Sequence, residues 1–231
     1  MDLPGFGLTD PVDYRAQPFR PLVVEFLAQV LEGIGLQCVP FVTQSQGSLW
    51  STWLSLDRPG SVTAQVMVAC PAHILGTSAP LPMRTMSIPA IGRALLKLQA
   101  PSPRQVDRVF AMVHEHAAQR EVRDLLLACE RLPAYAESFV GLLAAVMRFG
   151  RVRPEIALTR QQLAQVAHPV QMIWGDNDPF GSPATARRAV DFLRDGELHF
   201  VPGGHAPWFG RAEQVGELAV RFLREHRTNG G

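Results

Sequence analysis

The sequence predicts an α/β fold in which a mostly parallel sheet is covered by helices. Three observations support this prediction: helical and strand-like segments alternate as far as about residue 70, the following stretch has helical periodicity alone, and the alternation then resumes. With 231 residues, the chain is long enough for one core and an inserted subdomain. We therefore expect residues 1–75 and 166–231 to form the core and residues 76–165 to form a helical cap.

The first part of the chain contains two helix–strand pairs. PFRPLVVEFLAQVLEGIG has apolar residues at helical spacing, prolines at its start and glycines at its end, which is typical of a helix. QCVPFVTQ is a short apolar run that predicts a buried strand. LWSTWLSLDRPG then predicts a helix, and VTAQVMVAC predicts a second strand. This alternation favours parallel pairing with helices as the connections.

The predicted cap contains helices and no convincing strand. VDRVFAMVHEH and YAESFVGLLAAVMRFG each place apolar residues on one helical stripe. Strand patterns return in PVQMIWG and ELHFVPGG, with the helical SPATARRAVDFLRD between them. AEQVGELAVRFLREH predicts a C-terminal helix.

Composition and charge exclude several classes of function. The 22 basic and 21 acidic residues give a formal net charge of +1 without a block of like charge, so neither a nucleic acid nor a membrane surface is indicated as a partner. No segment approaches the roughly 18 apolar residues of a membrane span, and the N-terminus lacks the pattern of an export signal. Cys38, Cys70 and Cys129 are too widely spaced to suggest a disulfide framework or a zinc site. We expect a cytoplasmic protein without a cofactor or metal.

A serine with catalytic potential follows the first predicted strand. Ser45 stands in TQSQGS, and a strand-to-helix turn that exposes a hydroxyl needs small neighbours, a condition that Gly47 meets and Thr43 does not. A serine hydroxyl is a weak nucleophile near neutral pH, so it requires a histidine base and a group that orients that base. Open α/β sheets place such groups at the carboxyl ends of their strands.

Two of the seven histidines are candidates for the base. His205 in PGGHAPWF lies in a glycine loop after the last predicted strand, and His73 in ACPAH also follows a strand end. The glycine loop favours His205. The HEH at positions 114–116 could suggest a metal site, but residues two apart do not share a helix face. We expect that segment to be a solvated helix surface.

The orienting acid is expected in the loop WGDNDPFG, which follows a predicted strand and contains Asp176 and Asp178. Such a pair can also bind a cation, but the further oxygen ligands of a calcium or magnesium site are not evident. An acid from this loop gives the chain order Ser45, aspartate, His205. That order distinguishes one fold's triad from the orders found in chymotrypsin and subtilisin.

On these motifs the sequence resembles the α/β-hydrolase superfamily, in particular its esterase-like members with a helical cap. DLPGFGLTDP is similar to the loop after the family's fourth strand, TQSQGS to its nucleophile elbow, WGDNDPFGSP to its acid loop and PGGHAPWF to its histidine loop. The resemblance covers nearly the whole chain. It implies that Ser45 is the nucleophile, Asp178 the acid and His205 the base, and that the backbone amide of Gln46 is an oxyanion donor.

The same resemblance implies hydrolysis of a small, apolar, ester-type substrate through an acyl-enzyme. The family has further strands before DLPGFG, one followed by a loop that supplies a second oxyanion amide, so it predicts a core that lacks its N-terminal strands. Two alternatives stay open: a non-catalytic pseudoenzyme or binding module, and an acyltransferase or C–C bond hydrolase on the same triad. The cap residues expected to be available for an apolar pocket are Met83, Met86, Phe110, Phe139, Met147 and Phe149.

Overall fold

A computed structural model describes residues 1–116 and 118–226 and confirms the predicted fold class, a mostly parallel sheet with helices around it. The elements in chain order are α1 (Phe19–Gly33), β1 (Val39–Gln44), α2 (Gln46–Asp57), β2 (Val62–Val68), α3 (Leu81–Met86), α4 (Pro89–Leu98), α5 (Pro103–Met112), α6 (Arg120–Glu130), α7 (Tyr135–Val146), β3 (Met147–Arg148), β4 (Arg151–Val152), α8 (Arg160–Gln165), β5 (Val170–Gly175), α9 (Pro183–Asp191), β6 (Gly196–Val201) and α10 (Trp208–Glu225).

The main sheet has the strand order β1-β2-β5-β6, and its neighbouring strands are all parallel. Parallel pairing brings the carboxyl ends of the strands to one edge. There Gln44 pairs with Val68, Val68 with Ile173, and Gly175 with Val201. The loops that follow β1, β2, β5 and β6 therefore meet at this edge, where open α/β sheets bind their ligands.

Hydrophobic clusters cover both faces of the sheet, as alternating side chains of a doubly covered sheet require. On one face the aromatic residues of α1 and α2 pack together, and the ring of Phe19 lies 5.8 Å from each of the Trp50 and Trp53 rings. On the other face α10 packs against strand residues through Val215, Ala219 and Phe222. No helix in the described parts of the chain is long and apolar enough to cross a membrane.

One prediction is wrong for residues 69–169, the segment between the neighbouring strands β2 and β5, which we call the inserted segment. The helix expected over YAESFVGLLAAVMRFG ends at Val146, and Met147–Arg148 then pairs antiparallel with Arg151–Val152. Phe149 and Gly150 form the turn, with φ values of 50° and 72°. A two-residue turn with positive φ at both positions matches the twist of a β-hairpin. Helical periodicity did not reveal this turn, because the apolar residues before it continue the helical stripe.

Candidate active site

Ser45 occupies the sharp turn between β1 and α2. Its backbone angles are φ 48° and ψ −109°, a conformation that residues other than glycine rarely adopt. The Ser45 carbonyl accepts hydrogen bonds from Ser48 N at 3.1 Å and Ala72 N at 3.0 Å. These bonds tie the turn to α2 and to the loop after β2, so the surrounding structure holds the unfavourable backbone in place.

Thr43 fits this turn although the sequence pattern favours glycine there. Its hydroxyl donates to Val66 O at 3.2 Å and lies 3.1 Å from the Ser48 hydroxyl. A Cβ added at Gly47 would lie 3.7 Å from the Thr43 Cβ, which is ordinary van der Waals contact. Position 47 therefore has room for a Cβ, so a small residue suffices there and glycine itself is not required.

Asp178 and His205 form a buried pair. His205 Nδ1 lies 2.9 Å from Asp178 Oδ2 and 3.1 Å from Oδ1, and the two side chains are 7% and 0% exposed. Because a carboxylate only accepts, Nδ1 carries the proton. The Nε2 atom of the neutral imidazole is then free to accept a proton from a neighbouring hydroxyl.

The surroundings of Asp178 explain why it, and not Asp176, faces the histidine. Asp178 also accepts from Cys70 N at 2.8 Å and from Phe180 N at 2.8 Å, so its carboxylate is held from the loops after β2 and β5. Asp176 is exposed, and within the described part of the chain its side chain accepts a single hydrogen bond, from Gly203 N at 3.2 Å. Of the two aspartates that the sequence offers, the structure therefore brings Asp178 to His205.

Other residues that sequence reasoning missed hold His205 in place. The Phe180 ring stacks on the imidazole with a centroid separation of 4.0 Å. Gln44, directly before Ser45, donates its side-chain amide to His205 O at 2.8 Å. Glu115 accepts hydrogen bonds from Gly204 N and Ala206 N, on either side of the histidine. The expectation that HEH is a solvated helix surface holds for the exposed His114 and His116 but is wrong for Glu115, which is 4% exposed. The segment also lies beyond the helix, since α5 ends at Met112.

Ser45, Gln46 and His205 line one cavity of about 380 Å³ between the sheet edge and the inserted segment. Among the described residues, no hydrogen bond joins the Ser45 hydroxyl to His205, although the two side chains share the cavity wall. Such bonds are often formed only when substrate is bound. The Gln46 amide is the first of α2, and the first amides of a helix have no partner within it.

The inserted segment supplies most of the apolar wall. Four of the six cap residues expected to be available for a pocket line the cavity, namely Met83, Met86, Phe139 and Met147. Phe110 is instead buried against Phe209, with ring centroids 5.5 Å apart. Phe149 is 77% exposed at the tip of the hairpin. Helical spacing alone does not distinguish these environments.

His73, the other candidate base, also lines the cavity but has a different environment. Its ring is buried, and no carboxylate in the described part of the chain lies within salt-bridge distance of it. Burial lowers the pKa of His73 to about 4. His168 is likewise buried beside Gln65, and burial lowers its pKa to about 4. Both imidazoles are therefore neutral near pH 7.

We expect acid to destabilise the fold through these buried histidines. The ordinary pKa of histidine is 6.5, whereas His168 in the folded chain has a pKa of about 4. Between these two pH values the unfolded chain therefore binds a proton at His168 and the folded chain does not bind it. The free energy of unfolding therefore falls as the pH drops from 6.5 towards 4. Between pH 7 and pH 5, the fall in the free energy of unfolding should be about 2 kcal/mol smaller in His168→Gln than in wild type.

Urea denaturation of both proteins at the two pH values measures this difference. The exposed His116 provides a control, since His116→Gln should leave the loss unchanged. An acid-induced loss of stability that is the same with and without His168 would contradict the prediction.

The chain was compared with known proteins. No protein-family model matches it. The 2-hydroxy-6-oxononadienedioate/2-hydroxy-6-oxononatrienedioate hydrolase 2 of Pseudomonas putida is 24% identical over 229 residues, which cover 97% of this chain and 76% of that protein.

Two solved structures superpose on nearly the whole chain. A meta-cleavage product hydrolase from Pseudomonas fluorescens superposes with a TM-score of 0.73 at 16% identity, over 98% of this chain and 79% of that one. A carboxylesterase from Bacillus subtilis superposes with a TM-score of 0.74 at 16% identity, over 96% of this chain and 72% of that one. Together with the parallel sheet and its covering helices, these likenesses show that the chain has the α/β-hydrolase fold.

Proposed function

We propose that the chain is a serine hydrolase that cleaves carboxylic esters with Ser45 as nucleophile, His205 as base and Asp178 as the orienting acid. The observation that carries this proposal is the buried Asp178–His205 pair, whose histidine lines the same cavity as the strained Ser45 turn. A nucleophile, a base and a group that orients the base are the parts that acyl transfer requires.

The proposed reaction proceeds in two steps. His205 Nε2 takes the Ser45 proton as the hydroxyl oxygen attacks the ester carbonyl, and the imidazolium then protonates the leaving alcohol. Water attacks the resulting acyl-enzyme with His205 again as base, which releases the acid and restores Ser45. Asp178 keeps the Nδ1 proton in place throughout and stabilises the imidazolium that forms.

The backbone amide of Gln46 is the proposed donor to the oxyanion. It begins α2, so its N–H lacks a partner in the helix and lies at the positive end of the helix dipole. A donor of this kind acts where negative charge develops in the transition state, which is where electrostatic stabilisation has the largest effect.

The cavity favours a largely apolar substrate with a few hydrogen-bonding atoms. We take residues 76–165 as a cap, whose methionine and aromatic side chains would contact the acyl or alcohol group. Among the described residues that line the cavity, four buried polar atoms make no hydrogen bond, namely Gln46 Nε2, His73 Nδ1, Ser78 Oγ and Gln105 Oε1. Because buried polar groups without partners are costly, these atoms are suited to bind polar atoms of the substrate.

A second candidate is hydrolysis of a C–C bond by the same three residues, which the Pseudomonas putida relative favours because it covers nearly the whole chain. The substrates named for that relative are dicarboxylates. Among the described residues that line the cavity, none is lysine or arginine, and Glu130 adds a carboxylate whose pKa is raised by burial. A dianion would find no strong cationic partner there, so we favour the neutral ester.

A fluorophosphonate probe tests the proposed function. We expect one probe molecule per chain on Ser45, identified by peptide mass spectrometry, and turnover of 4-nitrophenyl esters by the same preparation. Ser45→Ala should abolish labelling, and His205→Ala should reduce its rate strongly, because the hydroxyl then has no base.

The outcomes separate the candidates. Labelling of Ser45 with faster turnover of a 2-hydroxy-6-oxo dienoate than of any ester would indicate the C–C bond hydrolase. A folded protein that neither labels nor turns over esters would contradict the proposal and leave the non-catalytic binding module.

A further inference from the structure

The segment after α5 contacts both loops of the proposed acid–base pair. His205 N donates to Val113 O at 2.9 Å. The His114 ring donates from Nδ1 to Asn177 O, also at 2.9 Å, next to Asp178. Residues 113–115, which we call the clamp, thus join the inserted segment to the acid loop and the histidine loop at once.

Glu115 makes two of the hydrogen bonds between the clamp and the histidine loop. A single oxygen, Oε1, accepts from Gly204 N at 3.0 Å and from Ala206 N at 2.7 Å. These amides belong to the residues on either side of His205, whose own amide binds Val113. Three consecutive amides of the histidine loop are therefore held by the clamp.

The close approach of the two backbones depends on glycine at position 204. A Cβ added there would lie 2.2 Å from Val113 O and 2.6 Å from His114 O, distances that no side chain tolerates. The PGGH sequence therefore has a packing reason beyond loop flexibility. Without Gly204, neither the Val113 bond nor the Glu115 bonds would keep these lengths.

The buried environment of Glu115 makes its carboxylate depend on the two backbone amides as hydrogen-bond partners. Its side chain is buried, and no lysine or arginine in the described part of the chain lies within salt-bridge distance of it. Burial raises the pKa of Glu115, while the hydrogen bonds from Ala206 and Gly204 act in the opposite direction. A buried carboxylate without hydrogen-bond donors is energetically costly, and so are buried amides without an acceptor. Glu115 and the amides of Gly204 and Ala206 therefore stabilise one another.

We propose that Glu115 is a positioning residue for His205, holding the histidine loop so that the imidazole meets Asp178 on one side and Ser45 on the other. This inference rests on the proposed function. Glu115 does not contact Ser45 or the substrate carbonyl in this arrangement; it acts through the backbone that carries His205. Misplacement of a catalytic group by about 1 Å can cost about 10²-fold in rate.

Two variants of Glu115 test the proposal in the full chain. Glu115→Ala should lower kcat by about 10-fold to 10²-fold with KM changed by less than about 3-fold, since the apolar binding wall is untouched. Glu115→Gln should keep kcat within about 3-fold of wild type, because a single carbonyl oxygen can accept both amide bonds. Glu121, an exposed carboxylate at the start of α6, provides the control: Glu121→Ala should leave both constants unchanged.

A spectroscopic measurement separates this inference from the proposed function. The proton between His205 Nδ1 and Asp178, whose heavy atoms lie 2.9 Å apart, should give a strongly deshielded NMR signal, to be assigned by its loss in His205→Ala. We expect the signal to disappear or broaden in Glu115→Ala and to remain in Glu115→Gln. This readout holds even if wild type shows no esterase activity or labelling, a result that would contradict the proposed function alone.

Three outcomes would overturn the positioning role. These are a folded Glu115→Ala with wild-type kcat and an unchanged signal, a Glu115→Gln as impaired as Glu115→Ala, or an equal loss in Glu121→Ala. If Glu115→Ala does not fold, Glu115→Asp, which withdraws the carboxylate by one methylene, takes its place. Loss of rate and signal in Glu115→Asp supports the role, and wild-type behaviour overturns it.

Discussion

Asp178→Asn is expected to lower kcat by about 10⁴-fold, the size of effect seen when the orienting aspartate of a serine triad is replaced by asparagine. The physical reason is the tautomer of His205. The carboxylate accepts from Nδ1 at 2.9 Å, so Nε2 is left free as the base. An amide group can present its NH₂ to the ring instead, which places the imidazole proton on Nε2 and removes the base.

The same substitution should also destabilise the fold. Asp178 accepts from Cys70 N and Phe180 N in addition to His205, and asparagine has one acceptor oxygen in place of two. Each buried donor left unpaired costs about 1–3 kcal/mol. Urea denaturation and ester turnover of the same preparation measure both effects.

Asp176→Asn is the matched control for Asp178→Asn. Asp176 lies in the same loop but is exposed, and its side chain accepts one hydrogen bond among the described residues, from Gly203 N. Its replacement should change the free energy of unfolding by no more than about 0.5 kcal/mol and leave kcat nearly unchanged. A large loss of activity in Asp176→Asn with little loss in Asp178→Asn would reverse the proposed assignment of the acid.

Replacement of Ser45 should abolish turnover, and the choice of replacement should reveal the strain in its backbone. Ser45→Ala and Ser45→Gly both remove the nucleophile and should lower kcat by about 10⁴-fold or more. The backbone at φ 48° and ψ −109° suits glycine and disfavours any residue with a Cβ. We therefore expect the free energy of unfolding of Ser45→Gly to be about 1 kcal/mol higher than that of Ser45→Ala.

Thermal denaturation of the two variants measures this difference. For a chain of this size, about 1 kcal/mol corresponds to about 2–4 °C in Tm. The comparison isolates one Cβ at one backbone position, because neither variant retains the hydroxyl. Equal Tm values would show that the turn is not strained, and residual ester turnover in Ser45→Gly would contradict the role of Ser45.

The elements of the core were predictable because their signals are local. The apolar periodicity of α1 and the punctuated apolar runs of β2 and β5 belong to single segments. The β3–β4 hairpin was not predictable in this way, since its apolar residues continue the stripe of α7. The positive φ of Phe149, a residue type that disfavours this conformation, gave no sequence signal of a turn.

The candidate site was predictable in part. Chain order and position after strands indicated Ser45 and His205, and the resemblance implied Asp178 and the Gln46 amide. The residues alone left Asp176 and Asp178 open, because both lie in one loop, and the difference between them is burial. The catalytic roles stay predictions until the variants are measured.

By itself, the sequence determined the α/β class and the three loops that carry Ser45, the aspartates and His205. Helical periodicity, apolar strand runs and turn residues are local signals, because each depends only on the residues of a single segment. Only the tertiary structure decided that Asp178 faces the imidazole and that Gln44 and Glu115 hold the histidine loop. It also decided that no carboxylate in the described part of the chain lies within salt-bridge distance of His73. The physical reason is that Gln44 and Glu115 bind backbone groups far away in the chain. A backbone amide or carbonyl has the same chemistry at almost every residue, so no sequence pattern shows which side chain will bind it.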